Sequence, residues 1–106
     1  MTISPSEVLT TIARSLVTSQ RYASIEEALR GLALEEVKRK IARYQRHIRH
    51  FERKYGLDFE AFGRKVMGQE TIEEEDDWLA WHAARRMLTD WEAVQQELEQ
   101  HANLSS

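Results

Sequence analysis

Four histidines, an acidic run and a basic run carry the side chains of this chain that do chemistry. His47 and His50 lie three apart, a spacing that lets two metal ligands share a helical face. No Cys or carboxylate stands at a recognisable ligand spacing from either, and the arginines around them would repel a cation. A solvated, partly basic helix face explains the pair better than a metal centre. Residues 70–77 hold six acids and no base: Glu70, Glu73, Glu74, Glu75, Asp76 and Asp77. Carboxylates serve general acid–base catalysis, but these fall where the first turns of a helix favour negative charge. Ser and Thr gather at caps and termini. There is no Gly-rich phosphate loop, no nucleophile elbow and no His-Glu-x-x-His. The expectation is a protein that is not an enzyme and needs no cofactor.

The basic run is the counterpart of the acidic one. Residues 38–54 carry eight basic side chains (Lys38, Arg39, Lys40, Arg43, Arg46, Arg49, Arg53 and Lys54) and a single acid, Glu52. Such a run binds phosphates, or it neutralises the chain's own acids. Trp78, Trp81 and Trp91 place three indoles directly after the acidic run. At helical spacing they read as core. A small hairpin has limited room for three of them, and Trp is enriched at protein interfaces.

The elements that must hold these residues are helices. Ser4-Pro5-Ser6-Glu7 is a helix start: Ser4 caps, Pro5 sits at N1, and Glu7 closes a capping box. Leu9, Ile12, Ala13 and Leu16 continue at helical spacing, with an end expected near Ser19 and Gln20. Ser24-Ile25-Glu26-Glu27 is a second capping box, with Tyr22 or Ala23 packing back on the new helix. From Leu34 to Tyr55 the apolar residues Leu34, Val37, Ile41, Tyr44, Ile48, Phe51 and Tyr55 step by 3 and 4 in alternation, a heptad seam that requires a partner helix. One long helix over 25–55 is expected. Gly31 lies inside it, at a cost of about 1 kcal/mol against Ala, and marks a slight bend or a close backbone approach.

Gly56 and Leu57 form a Schellman-type stop. Asp58 caps a short helix over about 59–67, with Phe59, Phe62, Val66 and Met67 apolar, and Gly68 ends it. Thr71-Ile72-Glu73-Glu74 opens the last helix, about 72–101. The reversal between residues 56 and 71 lays that helix antiparallel along the seam. Trp78 then falls near Tyr55 and Phe51. Glu73 to Asp77 fall beside Arg49, Arg53 and Lys54, and Glu92, Glu97 and Glu99 near Lys38, Arg39 and Arg43. Hydrophobic and charge patterns agree on one hairpin, which favours internal pairing of the basic run.

The fold class expected is therefore all-α, with at most a very short N-terminal strand. Residues 1–33 form a helix-turn-helix, dimerisation-like segment and 34–106 the hairpin, in one compact domain. The 106 residues, 42% hydrophobic and 31% charged with a net charge of −3, suit one soluble domain. With one Pro and four Gly, helix breakers are rare. There is no Cys, which excludes disulfides and thiolate sites. No apolar run approaches the roughly 20 residues of a membrane span, and Met1 to Pro5 lack signal-peptide features. A cytoplasmic protein without membrane contact is expected.

Leu16-Val17-Thr18-Ser19-Gln20-Arg21-Tyr22-Ala23-Ser24-Ile25-Glu26-Glu27-Ala28-Leu29-Arg30-Gly31-Leu32 resembles the helix–turn–helix portion of ParD-like ribbon-helix-helix antitoxins. The resemblance runs without gaps back to Ser4. Phe51-Glu52-Arg53-Lys54-Tyr55-Gly56-Leu57-Asp58-Phe59-Glu60-Ala61-Phe62 and Asp76-Asp77-Trp78-Leu79-Ala80-Trp81 look like the C-terminal helical part of small prokaryotic antitoxins. The resemblance implies a homodimer, operator-DNA binding through an N-terminal strand ribbon, and neutralisation of a cognate toxin by the C-terminal part. It also implies a phosphate contact at the start of the second helix, which carries over to Ser24 and Ile25; free N–H groups and the helix dipole there suit an anion. At the ribbon only Met1 to Ser4 precede Pro5 and none is basic, leaving Thr2 and Ser4 to face the groove.

The function expected is thus neutralisation of a small toxin by direct contact. Glu73, Glu74, Glu75, Asp76 and Asp77 would cover a basic toxin surface, with Trp78 and Trp81 as anchors. The alternatives are a DNA-binding regulator using Thr2, Ser4, Ser24, Ile25 and the basic helix, and a helical structural or oligomerisation protein.

Overall fold

A computed structural model describes residues 4–19 and 22–104, without the side chains of 101–104. It is all-α: α1 (Pro5–Thr18), α2 (Ile25–Tyr55), α3 (Phe59–Val66) and α4 (Ile72–Leu104), with no strand among the described residues. The short N-terminal strand expected before Pro5 falls outside them.

The helix starts are set by their caps. Ser4 Oγ accepts the Glu7 N–H at 3.2 Å and the Glu7 carboxylate accepts the Ser4 N–H at 3.3 Å, a complete capping box ahead of Pro5. At α2, Ser24 Oγ accepts the Glu27 N–H at 3.1 Å. The Glu27 carboxylate takes the Ala23 N–H instead, one residue earlier than a capping box would. Asp58 caps α3 through the Ala61 N–H at 2.8 Å, and Thr71 and Glu74 cap α4 reciprocally.

The stops are equally local. Gly56 and Gly68 have φ of 67° and 74°, a left-handed conformation that costs glycine nothing. The Gly56 N–H donates to Glu52 C=O at 2.8 Å, the single-bond αL stop rather than the Schellman pair. With no Gly or Pro after Gly68, nothing interrupts α4, and it continues to Leu104 rather than ending near His101.

The chain folds into two units. The first comprises Met1–Lys38 and Val94–Ser106, so it extends past residue 33 and takes in the C-terminal stretch. Its fully buried side chains are small: Ala13, Ala28 and Val37. Tyr22 lies across α2 at Gly31, where an added Cβ would stand 2.6 Å from the tyrosine oxygen. The second unit is Arg39–Ala93. In it the end of α2 and the start of α4 pack in a hairpin-like arrangement, with α3 between them in sequence. Its core is Phe51, Phe62, Val66 and Trp81, with Ile48, Tyr55, Leu57, Phe59 and Trp78 packed around them.

Candidate functional site

The second unit is built around one indole. Trp81 is 1% exposed and stacks on Phe51 at 5.6 Å, on Phe62 at 5.5 Å and on Tyr55 at 6.4 Å, with Phe59 edge-on at 5.5 Å. Such offset aromatic contacts each add about 0.5–1.5 kcal/mol beyond area burial. The partner of Phe51 and Tyr55 is therefore Trp81, not the Trp78 that the hairpin register suggests. Trp78 turns toward α3, stacking on Phe59 at 5.5 Å and on His82 at 5.2 Å. Trp81 accordingly cannot anchor a partner protein; Trp78, half-buried, can.

The acids of α4 split by task. Lys54 Nζ binds Glu73 Oε1 at 2.8 Å and Asp77 Oδ2 at 2.6 Å, and the Tyr55 hydroxyl donates to the same Asp77 oxygen. The hydrogen bond from the Lys54 ammonium, then that from Tyr55, holds the Asp77 carboxyl below the usual carboxylate range. The same contacts raise Lys54, the bond to Asp77 most and that to Glu73 next. Burial first, and the bond to Asp77 second, pushes the Tyr55 phenol up to about 12. Glu74 closes the cap on Thr71. The side chains of Glu70, Glu75 and Asp76 remain exposed, with no hydrogen bond or ion pair among the described residues.

Beside these outward acids lies a groove of about 530 Å³ between α3 and α4, lined by Glu60, Gly63, Arg64, Val66, Met67, Gly68, Glu70, Glu75, Trp78 and Leu79. Met67 is 78% exposed and Leu79 53%, and Ile72, one turn before Glu75, is 82% exposed. Met67, expected as the last apolar residue of a helix over about 59–67, instead follows the last turn of α3 as its C-cap and is exposed. Glu60 is paired with Arg85 at 2.9 Å, so Glu70 and Glu75 against Arg64 leave the groove rim net negative. Nothing in the capping motifs or the apolar seam marks Leu79 and Ile72 as outward-facing. Their signal in the sequence is angular: both sit off the apolar stripe of α4.

The basic run is only partly paired among the described residues. Lys54 is paired across the hairpin, but Arg43, Arg46, Arg49 and Arg53 are exposed and have no acidic partner among the described residues. Arg43 lies over the Tyr44 ring at 5.9 Å. His47 and His50 are exposed and make edge contacts with Tyr44 and Phe51 respectively. Among the described residues no group of three His, Asp or Glu side chains is arranged to hold a metal ion.

Of the residues expected at DNA, Thr2 lies outside the described residues. Ser4 and Ser24 are helix caps, and Ile25 is the first residue of α2. Glu26 and Glu27 occupy the same first turn, so a phosphate there would meet two carboxylates. Among the described residues no helix is long and apolar enough to cross a membrane. The chain matches no protein-family model, no curated protein and no solved structure.

Proposed function

We propose that the chain is a non-catalytic, cytoplasmic, antitoxin-like binding protein that neutralises a small basic toxin by direct contact. The α3–α4 groove carries this reading: an apolar floor of Met67, Trp78 and Leu79 beside the outward acids Glu70, Glu75 and Asp76. An aromatic anchor with adaptable Met and an acidic rim is what a basic protein surface needs for affinity and for steering. The resemblance to antitoxins names the partner class.

The groove stands independently of Glu73 and Asp77, which hold α2. A charge-reversed Glu70→Lys, Glu75→Lys, Asp76→Lys variant should therefore fold and bind at least tenfold more weakly, the cost of about 1.4 kcal/mol of lost electrostatics. The partner to use is the protein encoded by the adjoining reading frame, with isothermal titration and rescue of growth as readouts. Unchanged affinity in the reversed variant would remove the acidic mechanism.

The reading includes a homodimer. It is supported by Val8, Leu9 and Ile12, three large apolar residues exposed on α1. Light scattering on a Val8→Ser, Ile12→Ser variant should report a monomer where the parent is a dimer.

A further inference from the structure

The unpaired arginines of α2 form a rail. At about 100° and 1.5 Å per residue, Arg43, Arg46, His50 and Arg53 fall within an arc of about 80° over about 15 Å, with Arg49 on its flank. The seam of Ile41, Tyr44, Ile48, Phe51 and Tyr55 is centred about 160° away by the same geometry. The cations therefore face away from the aromatic core, and Arg43, Arg46, Arg49 and Arg53 have no acidic partner among the described residues. His50 alone stands near enough to Asp77 to favour its charged form.

We infer that this rail is a binding site for the phosphate backbone of duplex DNA, separate from the α3–α4 groove and from any N-terminal ribbon. Four arginines, rather than lysines, suit phosphate because the guanidinium offers a planar fork of donors. Single strands are bound by basic grooves interleaved with stacking aromatics, and the aromatics of α2 belong to the core or its edge. Double-stranded RNA is recognised in part through its 2′-hydroxyls, and this arc carries no hydroxyl or amide side chain. A membrane-surface helix sinks its own apolar face into lipid, whereas that face of α2 is covered by α3 and α4. Duplex DNA is the polyanion left, held through its phosphates, which take most protein–DNA hydrogen bonds and carry no sequence information directly.

Fluorescence anisotropy with the full chain and a labelled 20-base-pair duplex tests the site. With four arginines engaged, the log–log salt slope is about −3.5, and affinity falls about 100-fold between 50 and 200 mM salt. Binding should be the same for two unrelated duplex sequences. An Arg43→Gln, Arg46→Gln, Arg53→Gln variant should reduce the slope to about −1, while Arg43→Lys, Arg46→Lys, Arg53→Lys keeps most of the binding. The glutamine variant should still bind the partner of the groove, so failure here leaves that function untouched. No binding at 50 mM salt, equal binding by the glutamine variant, or binding confined to single-stranded RNA or to anionic phosphatidylserine vesicles would overturn the assignment.

Discussion

The two units bury different kinds of side chain. The aromatic unit closes Trp81 inside Phe51, Tyr55, Phe59 and Phe62 and ties its helices together with Lys54, Tyr55 and Asp77. The unit that begins with α1 buries Ala13, Ala28 and Val37 and leaves Val8, Leu9 and Ile12 exposed. Burial contributes in proportion to apolar area, so one Trp outweighs several Ala. The aromatic unit satisfies its own large side chains. The other leaves Val8, Leu9 and Ile12 exposed on one helix. The first is thus suited to be a scaffold for a groove, the second to be a joint.

Opposite substitutions should break the two units. Trp81→Ala removes the centre of the aromatic cluster and should cost about 3–5 kcal/mol, enough to abolish cooperative unfolding measured by denaturant. Ala28→Leu adds volume at a site with no exposed surface and should cost about 1–3 kcal/mol through overpacking. If Trp81→Ala were the milder of the two, the assignment of the main core to residues 39–93 would be wrong.

The ionic tie gives the aromatic unit a pH signature. Asp77 has a lowered pKa, so its contribution is complete above the unfolded carboxyl value of about 4 and is lost as pH falls through the folded value. Lys54 and Tyr55 are raised. Their contributions are complete below about pH 10 and are lost as pH rises through their folded values, about 12 for Tyr55. Stability should be flat between about pH 5 and 9 and fall on both sides. Asp77→Asn should flatten the acid limb and lower the phenol titration read by ultraviolet absorbance, with Tyr55→Phe assigning the late component. The drop should be partial, because burial is the larger cause. A wild-type Tyr55 that titrates with the other tyrosines would contradict the tie.

Caps, glycine stops and the 3–4 seam make the four helices legible, because each rests on interactions within a few residues. The pairing of Lys54 with Glu73 and Asp77 is legible too, since it comes from laying α4 back along α2. Trp78 and Trp81 are harder to tell apart. They lie three residues apart on one face of α4, and the docking of α3, which spacing does not encode, decides that Phe59 stacks on Trp78 and meets Trp81 edge-on while Phe51 stacks on Trp81. The fate of the arginines escapes the sequence for a different reason. Matching eight bases to nearby acids ignores angle, and Arg43, Arg46 and Arg53 centre on the side of α2 opposite the seam, with no acidic partner among the described residues.

The smallest expected effect concerns the joint. Gly31 sits in the middle of a helix, where Ala would be favoured by about 1 kcal/mol. Its position is taken up by Tyr22, whose ring atoms would lie 2.6–2.8 Å from a new Cβ. Gly31→Ala must therefore push the ring off α2, and the gain in helix propensity is offset by the lost contact. The net change should be under about 1 kcal/mol. A Tyr22→Ala chain has no ring to displace, so adding Gly31→Ala to it should return the full propensity gain of about 1 kcal/mol. The double-mutant cycle then reads a coupling of the same order between the two residues. Additive effects would mean that Tyr22 does not lie on α2 in solution, and the first unit would lose that contact.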